Sequence, residues 1–268
     1  MVRNARPTAI GRINSALHRV CALPTLRHNG VMQRIRQLKH NADFPPSCEA
    51  LDYPNGLLAV GGELDEATLL AAYRRGIFPW YEEPQPVLWW TPDPRSVLFP
   101  DELHISRSLR KTLRRNALSL NVDRQFANVM RACANLRGDG LGTWIDEDMI
   151  AAYCRLHALG HAHSIEVIDD DGALVGGLYG VALGRVFFGE SMFSQVTDAS
   201  KVAMVALVRI LRRGQFHMID CQVESDHLNS LGARNISRLD FEERLDQTIG
   251  METNHDIWSL PGRCGDLL

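Results

Sequence analysis

The sequence predicts an α+β layered protein, and three observations predict it. From about Pro100 helical periodicity recurs in long segments. Short extended runs separated by Asp171-Gly172 and Gly184-Arg185 read as an antiparallel meander, and a long apolar helix then feeds a further strand. With 268 residues, 45% hydrophobic and 23% charged, the chain can bury one large core or two modest ones. No apolar run approaches the roughly 18 residues of a membrane span, so a soluble protein is expected.

Residues 1–31 carry Arg3, Arg6, Arg12, Arg19 and Arg27 and no acid, which leaves a net −8 on the rest of a chain whose total is −3. They lack the apolar stretch of a secretory signal. Met32 opens a basic amphipathic stretch that runs into globular sequence, so residues 1–31 are expected to be an extension, disordered or not native. A targeting peptide and a functional basic arm are the alternatives. Residues 32–94 read as a small irregular domain, because proline and glycine pairs break the segment from Phe44 to Pro94 into short apolar pieces. Within it Asp65 caps a helix over Glu66 to Arg75, Leu69, Leu70 and Tyr73 share its apolar face, and Gly76 stops it.

Residues 95–250 read as the main domain, with helices expected at 106–115, 124–134, 146–159, 198–213 and 240–247. Strands are expected from Ser164 to Ile168, Ala173 to Val181, Val186 to Glu190, Phe216 to Cys221 and Ile236 to Asp240. Residues 251–268 are left as a tail. Six cysteines without a CxxC argue against a disulfide framework or thiolate zinc site and for a reducing compartment. Phosphate-loop, dinucleotide-binding, HExxH and GxSxG motifs are missing. His157, His161 and His163 fall on different faces, which suits helix-end capping or core hydrogen bonding better than metal ligation.

Four features ask for more than structure. Glu190 lies among apolar neighbours in VFFGESMF, so it needs a buried cation, internal hydrogen bonds or a cationic ligand. Strand alternation places Asp220 and Gln222 on one face, either solvent-exposed or converging on a site. Tyr73, Phe78, Trp80, Trp89, Trp90 and Trp144 are core rings or a stacking platform. Arg107, Arg110, Lys111 and Arg114 form one basic helical face opposite Leu109 and Leu113, either merely solvated or polyanion-binding.

Ten motifs in order, among them PNGLLAVGGEL (54–64), AAYRRGIFPWY (71–81), LWWTPDPR (88–95), GTWI (142–145), LHALGHAHSIEV (156–167), FFGESMFS (187–194), DASK (198–201) and IDCQ (219–222), closely resemble the leucyl/phenylalanyl-tRNA–protein transferase family. The likeness runs from about Phe44 to about Leu245. It implies a C-terminal acyltransferase domain of the GNAT type beside a smaller N-terminal α/β domain. It also implies a bacterial cytoplasmic monomer that needs no metal or coenzyme. The reaction implied is transfer of Leu, Phe or Met from aminoacyl-tRNA to proteins with N-terminal Arg or Lys, marking them for N-end rule degradation.

By the same resemblance Gln222, held by Asp220, contacts the attacking α-amine, with Glu190 close by. Leu178, Phe187 and Met192 line the donor side-chain pocket. Trp80, Trp144 and Tyr73 lie near the adenosine and aminoacyl end, and the basic face from Arg107 to Arg114 holds tRNA phosphates. Aminolysis of an activated ester depends chiefly on positioning, which contributes roughly 7–11 kcal/mol, so no nucleophilic triad is required. Two other readings compete. A peptidoglycan branching transferase would need a longer chain, and a tRNA-binding module leaves Glu190, Asp220 and Gln222 unexplained.

Overall fold

The computed structural model describes residues 25–28, 31–38, 43–135, 145–252, 255–260 and 262–268. In chain order the elements are β1 (Thr25–His28), β2 (Val31–Arg34), β3 (Arg36–Leu38), β4 (Leu57–Gly61), α1 (Glu66–Tyr73), β5 (Phe78–Pro79), β6 (Leu88–Trp90) and β7 (Arg95–Leu98). Next come α2 (Arg107–Arg115), β8 (Ser119–Val122), α3 (Phe126–Asn135), α4 (Glu147–Ala158), β9 (Ala162–Ile168), β10 (Leu174–Leu183) and β11 (Val186–Ser194). The chain ends with α5 (Ala199–Arg213), β12 (Met218–Gln222), α6 (Asp226–Asn229), β13 (Arg234–Ile236) and α7 (Arg238–Thr248).

The α+β architecture is as predicted. β1 and β2 form a separate antiparallel hairpin that crosses the expected boundary at residue 31, and the residues before Thr25 lie outside the described ones. A four-stranded sheet of order β3-β4-β6-β5 organises the first domain, in keeping with the α/β domain implied by the resemblance, although its strands were not located from the sequence. Its strands are two to five residues long, too short for period-two patterning, and Trp89 and Trp90 are both fully buried. Asp65 caps α1 by accepting from the Thr68 amide at 2.9 Å, and Gly76 ends it with φ +67°.

The second sheet has seven strands in the order β13-β7-β12-β11-β10-β9-β8. The expected meander is β9-β10-β11, antiparallel throughout, and α5 then crosses over to place β12 parallel to β11. The order of meander, long helix and strand is the one read from the sequence. Helix α5 buries 11 of its 15 residues, which is why its sequence is apolar almost all round. It covers one sheet face together with Leu109 and Leu113 of α2. The other face packs on Tyr153 of α4, Tyr73 of α1, and Phe78 and Phe241, so one core joins the two sheets.

The tail is not peripheral. Leu120 donates its amide to the Gly262 carbonyl and Cys264 donates to Leu118, both across the edge of β8. Ile257, Cys264 and Leu267 enter the core under α5, and Trp258 stacks on His163 at 3.6 Å. His163 meets Asp123 at 2.7 Å and His157 meets the Ala162 carbonyl at 2.8 Å, so both imidazoles serve core hydrogen bonding.

Candidate active site

Two local irregularities bring the predicted carboxylates and amide together. Between β10 and β11 the register pairs Tyr179 with Ser191 and Gly180 with Gly189, so Glu190 is the extra residue of a bulge. The close approach of the bulged strand requires glycine at 180, where a Cβ would lie 2.1 Å from the Phe188 carbonyl oxygen. Between β12 and β7 the register slips after Asp220, and Gln222 sits in the left-handed region with φ 63°. The β11–β12 ladder ends at Phe188 and Asp220. Beyond it the two strands are joined by a side-chain bond: Gln222 Nε2 donates to Glu190 Oε1 at 2.9 Å.

Glu190 is 8% exposed, and its other oxygen accepts from the Tyr153 hydroxyl at 3.1 Å. Because that hydroxyl proton is spent on Glu190, Tyr73 donates to the Tyr153 oxygen. The partners of Glu190 are therefore neutral. Burial, with help from the Asp220 charge, pushes its carboxyl up to about 7 against the opposing pull of its hydroxyl and amide donors. Burial, and then the Glu190 charge, hold both phenols well above their ordinary range.

The buried cation goes to Asp220 instead. Arg95 Nε and Nη2 donate to the two Asp220 oxygens at 2.8 and 2.6 Å, and both residues have 0% exposure. Here the structure corrects one expectation. Asp220 does not hold the Gln222 side chain; its Oδ1 accepts the Gln222 backbone N–H at 2.9 Å. The left-handed turn of Gln222 breaks the alternation that would have set the two side chains parallel.

Leu178 and Met192 are cross-strand neighbours, and with Phe187 they belong to the face covered by α5. Leu178 and Phe187 are buried, whereas Met192 is half-buried. Phe188 and Tyr179 point to the opposite face, so the apolar set and the Glu190 network lie on either side of the sheet where β11 and β12 part. Tyr73 has 0% exposure and packs on Phe188 at 5.0 Å, which places it behind Glu190 rather than against a nucleoside. Trp80 is half-buried, with its ring 5.7 Å from that of Trp90. Trp144 lies outside the described residues.

On α2, Arg107, Arg110, Lys111 and Arg114 are all exposed above buried Leu109 and Leu113, and no ion pair engages them among the described residues. Two members of the network, Arg95 and Tyr153, carried no functional signal in the sequence. Arg95 sits in a Pro-rich segment that reads as a loop, and Tyr153 lies on the apolar face of a helix. The one available signal was indirect: paired buried acids demand a buried donor somewhere.

The family model for leucyl/phenylalanyl-tRNA protein transferase matches residues 97–246, and the model for the N-terminal domain of that family matches residues 62–93. The leucyl/phenylalanyl-tRNA–protein transferase of Nitrosospira multiformis is 56% identical over 82% of this chain and 95% of its own length. That of Nitrosomonas europaea is 53% identical over 85% and 98%, and that of Pseudomonas entomophila 57% over 75% and 89%. Among solved structures, a GNAT-family acetyltransferase from Staphylococcus aureus aligns at TM-score 0.31 with 12% identity, over 37% of this chain and 70% of that one.

Proposed function

The chain belongs to the leucyl/phenylalanyl-tRNA–protein transferase family and is an aminoacyltransferase acting from tRNA onto protein, and from that premise we propose the finer specificity. It transfers Leu, Phe or Met to the α-amine of proteins with N-terminal Arg or Lys, as a cytoplasmic monomer, and so marks them for N-end rule degradation. No helix among the described residues is long and apolar enough to cross a membrane. The observation that carries this reading is the buried bridge from Gln222 to Glu190 at the point where β11 and β12 separate.

In this reading the acceptor amine attacks the ester carbonyl, a C–N bond forms, the ester C–O bond breaks, and the tRNA hydroxyl leaves with a proton. Gln222 spends its Nε2 on Glu190. Its carbonyl oxygen is left to accept an N–H of the amine and aim the lone pair at the ester. Glu190 takes the proton the amine sheds and passes it to the departing tRNA oxygen, a task suited to a carboxyl near 7. An α-amine has a pKa of about 7.7–8.0, so the deprotonation is modest. The negative charge of the network also suits a cationic N-terminal residue.

The donor side chain enters the apolar set on the α5 face, with Met192 at its mouth and Leu178 and Phe187 behind. Such a pocket separates substrates by methylene content only about 10–200-fold, which allows Leu, Phe and Met together. Trp80 stacks on the terminal adenosine. The exposed cations of α2 hold tRNA phosphates. Four such contacts predict that log(1/KM) for the donor falls with log salt with a slope of roughly −3, and that removing all four charges flattens the line. An unchanged slope in that variant would remove α2 from the tRNA path.

The direct test is leucine transfer from Leu-tRNA to peptides beginning with Arg, Lys or Ala. Transfer confined to the Arg and Lys peptides, and weakened in Gln222→Ala and Glu190→Ala, supports the site. Normal transfer in both variants leaves the family membership standing and discards the assigned roles.

A further inference from the structure

Arg95 is a guanidinium with 0% exposure, held between the Phe78 ring at 5.0 Å and the Phe241 ring at 4.5 Å. Phe78 comes from the first sheet and Phe241 from α7, so the sandwich is closed by two elements far apart in the chain. Both fork nitrogens go to Asp220, at 2.8 and 2.6 Å, and Nη1 has no hydrogen-bond partner among the described residues. A buried ion pair of this kind is a poor way to gain stability, because well-packed apolar residues serve equally well. Its geometry serves something else. The Asp220 oxygen that faces Arg95 Nε also accepts the Gln222 N–H at 2.9 Å, and Gln222 is held at φ 63°, a conformation that residues with a side chain rarely adopt. From that strained position the Gln222 amide reaches Glu190.

We propose that Arg95 is a positioning residue of the transfer reaction: by clamping Asp220 against two rings it fixes the backbone of Gln222, and so the aim of the Gln222 amide. This rests on the roles assigned to Gln222 and Glu190 above. Arg95 is sealed from solvent by Phe78, Phe241 and Asp220, so it is expected to govern kcat and leave the donor KM nearly unchanged. Lysine keeps the charge and loses the planar fork, which makes Arg95→Lys the informative change.

The experiment is a double-mutant cycle on leucine transfer, comparing wild type, Arg95→Lys, Gln222→Ala and the double variant, with kcat and donor KM measured separately. Arg95→Lys is expected to lower kcat about 10–100-fold in the wild-type background and less than about twofold in the Gln222→Ala background. Equal losses in both backgrounds, or an unchanged kcat in Arg95→Lys, overturn the proposal. Should Arg95→Lys fail to fold, Phe241→Leu loosens the sandwich without unpairing a charge. It is expected to show the same non-additivity with Gln222→Ala, and additivity overturns the proposal. Absence of transfer by wild type would overturn the underlying functional reading, and it is seen before any variant is compared.

Discussion

Glu190→Gln is expected to slow transfer by about 10²–10⁴-fold while making the folded protein more stable above neutral pH. Both effects come from one placement. The bulge of β11 turns the carboxylate into a pocket of neutral donors with no cation in contact, and burial pushes its pKa up to about 7. The folded-state value lies above the unfolded 4.5, so the native protein holds an extra proton between roughly pH 4.5 and 7. Its contribution is greatest below the unfolded value and is lost as pH rises through the folded one. The loss amounts to roughly 3 kcal/mol at the upper end. Glutamine fills the same space, accepts from Tyr153 and carries no charge to desolvate. Urea melts near pH 4 and pH 8 measure the effect, and the stability gained by Glu190→Gln over wild type should be larger by roughly 3 kcal/mol at the higher pH. An equal gain at both values would mean that Glu190 titrates normally, and the role of proton acceptor would fall with it.

The rate profile carries the same signature. Transfer should rise between about pH 6 and 8 as Glu190 and the acceptor amine lose protons, and in Glu190→Gln only the amine limb should remain.

What the sequence made legible follows from how local each signal is. The meander was readable because Asp171-Gly172 and Gly184-Arg185 are turn pairs between apolar runs, and α5 because fifteen residues repeat one period. Glu190 stood out since a carboxylate between Phe188 and Phe193 demands an explanation. β5, β6 and β7 were invisible for the opposite reason. They are two to four residues long and bounded by prolines, and they exist only because the large core supplies their partners. The left-handed turn at Gln222 and the pairing of Arg95 with Asp220 join positions 125 residues apart, and nothing near either residue encodes that meeting. Tyr153 was hidden by its own amphipathicity, since a phenol on the buried stripe of α4 looks like any other core ring until Glu190 is found beneath it.

Asp220→Asn is expected to destabilise the protein by about 3–5 kcal/mol and to abolish most transfer, because it strips from a guanidinium with no access to water the only carboxylate it meets among the described residues. Loss of the partner, rather than loss of the pair, sets that cost. The double change Arg95→Met with Asp220→Leu removes both charges and refills the space between Phe78 and Phe241, so most of the stability should return. Transfer should not return, since neither new side chain can accept the Gln222 N–H and hold that residue at φ 63°. Urea melts and initial rates on the two variants separate these contributions. Recovered stability without activity would mean that the ion pair is kept for the geometry it imposes. Recovery of both would show that Gln222 finds its position unaided, and failure to recover stability would show that the rings are shaped to a guanidinium alone.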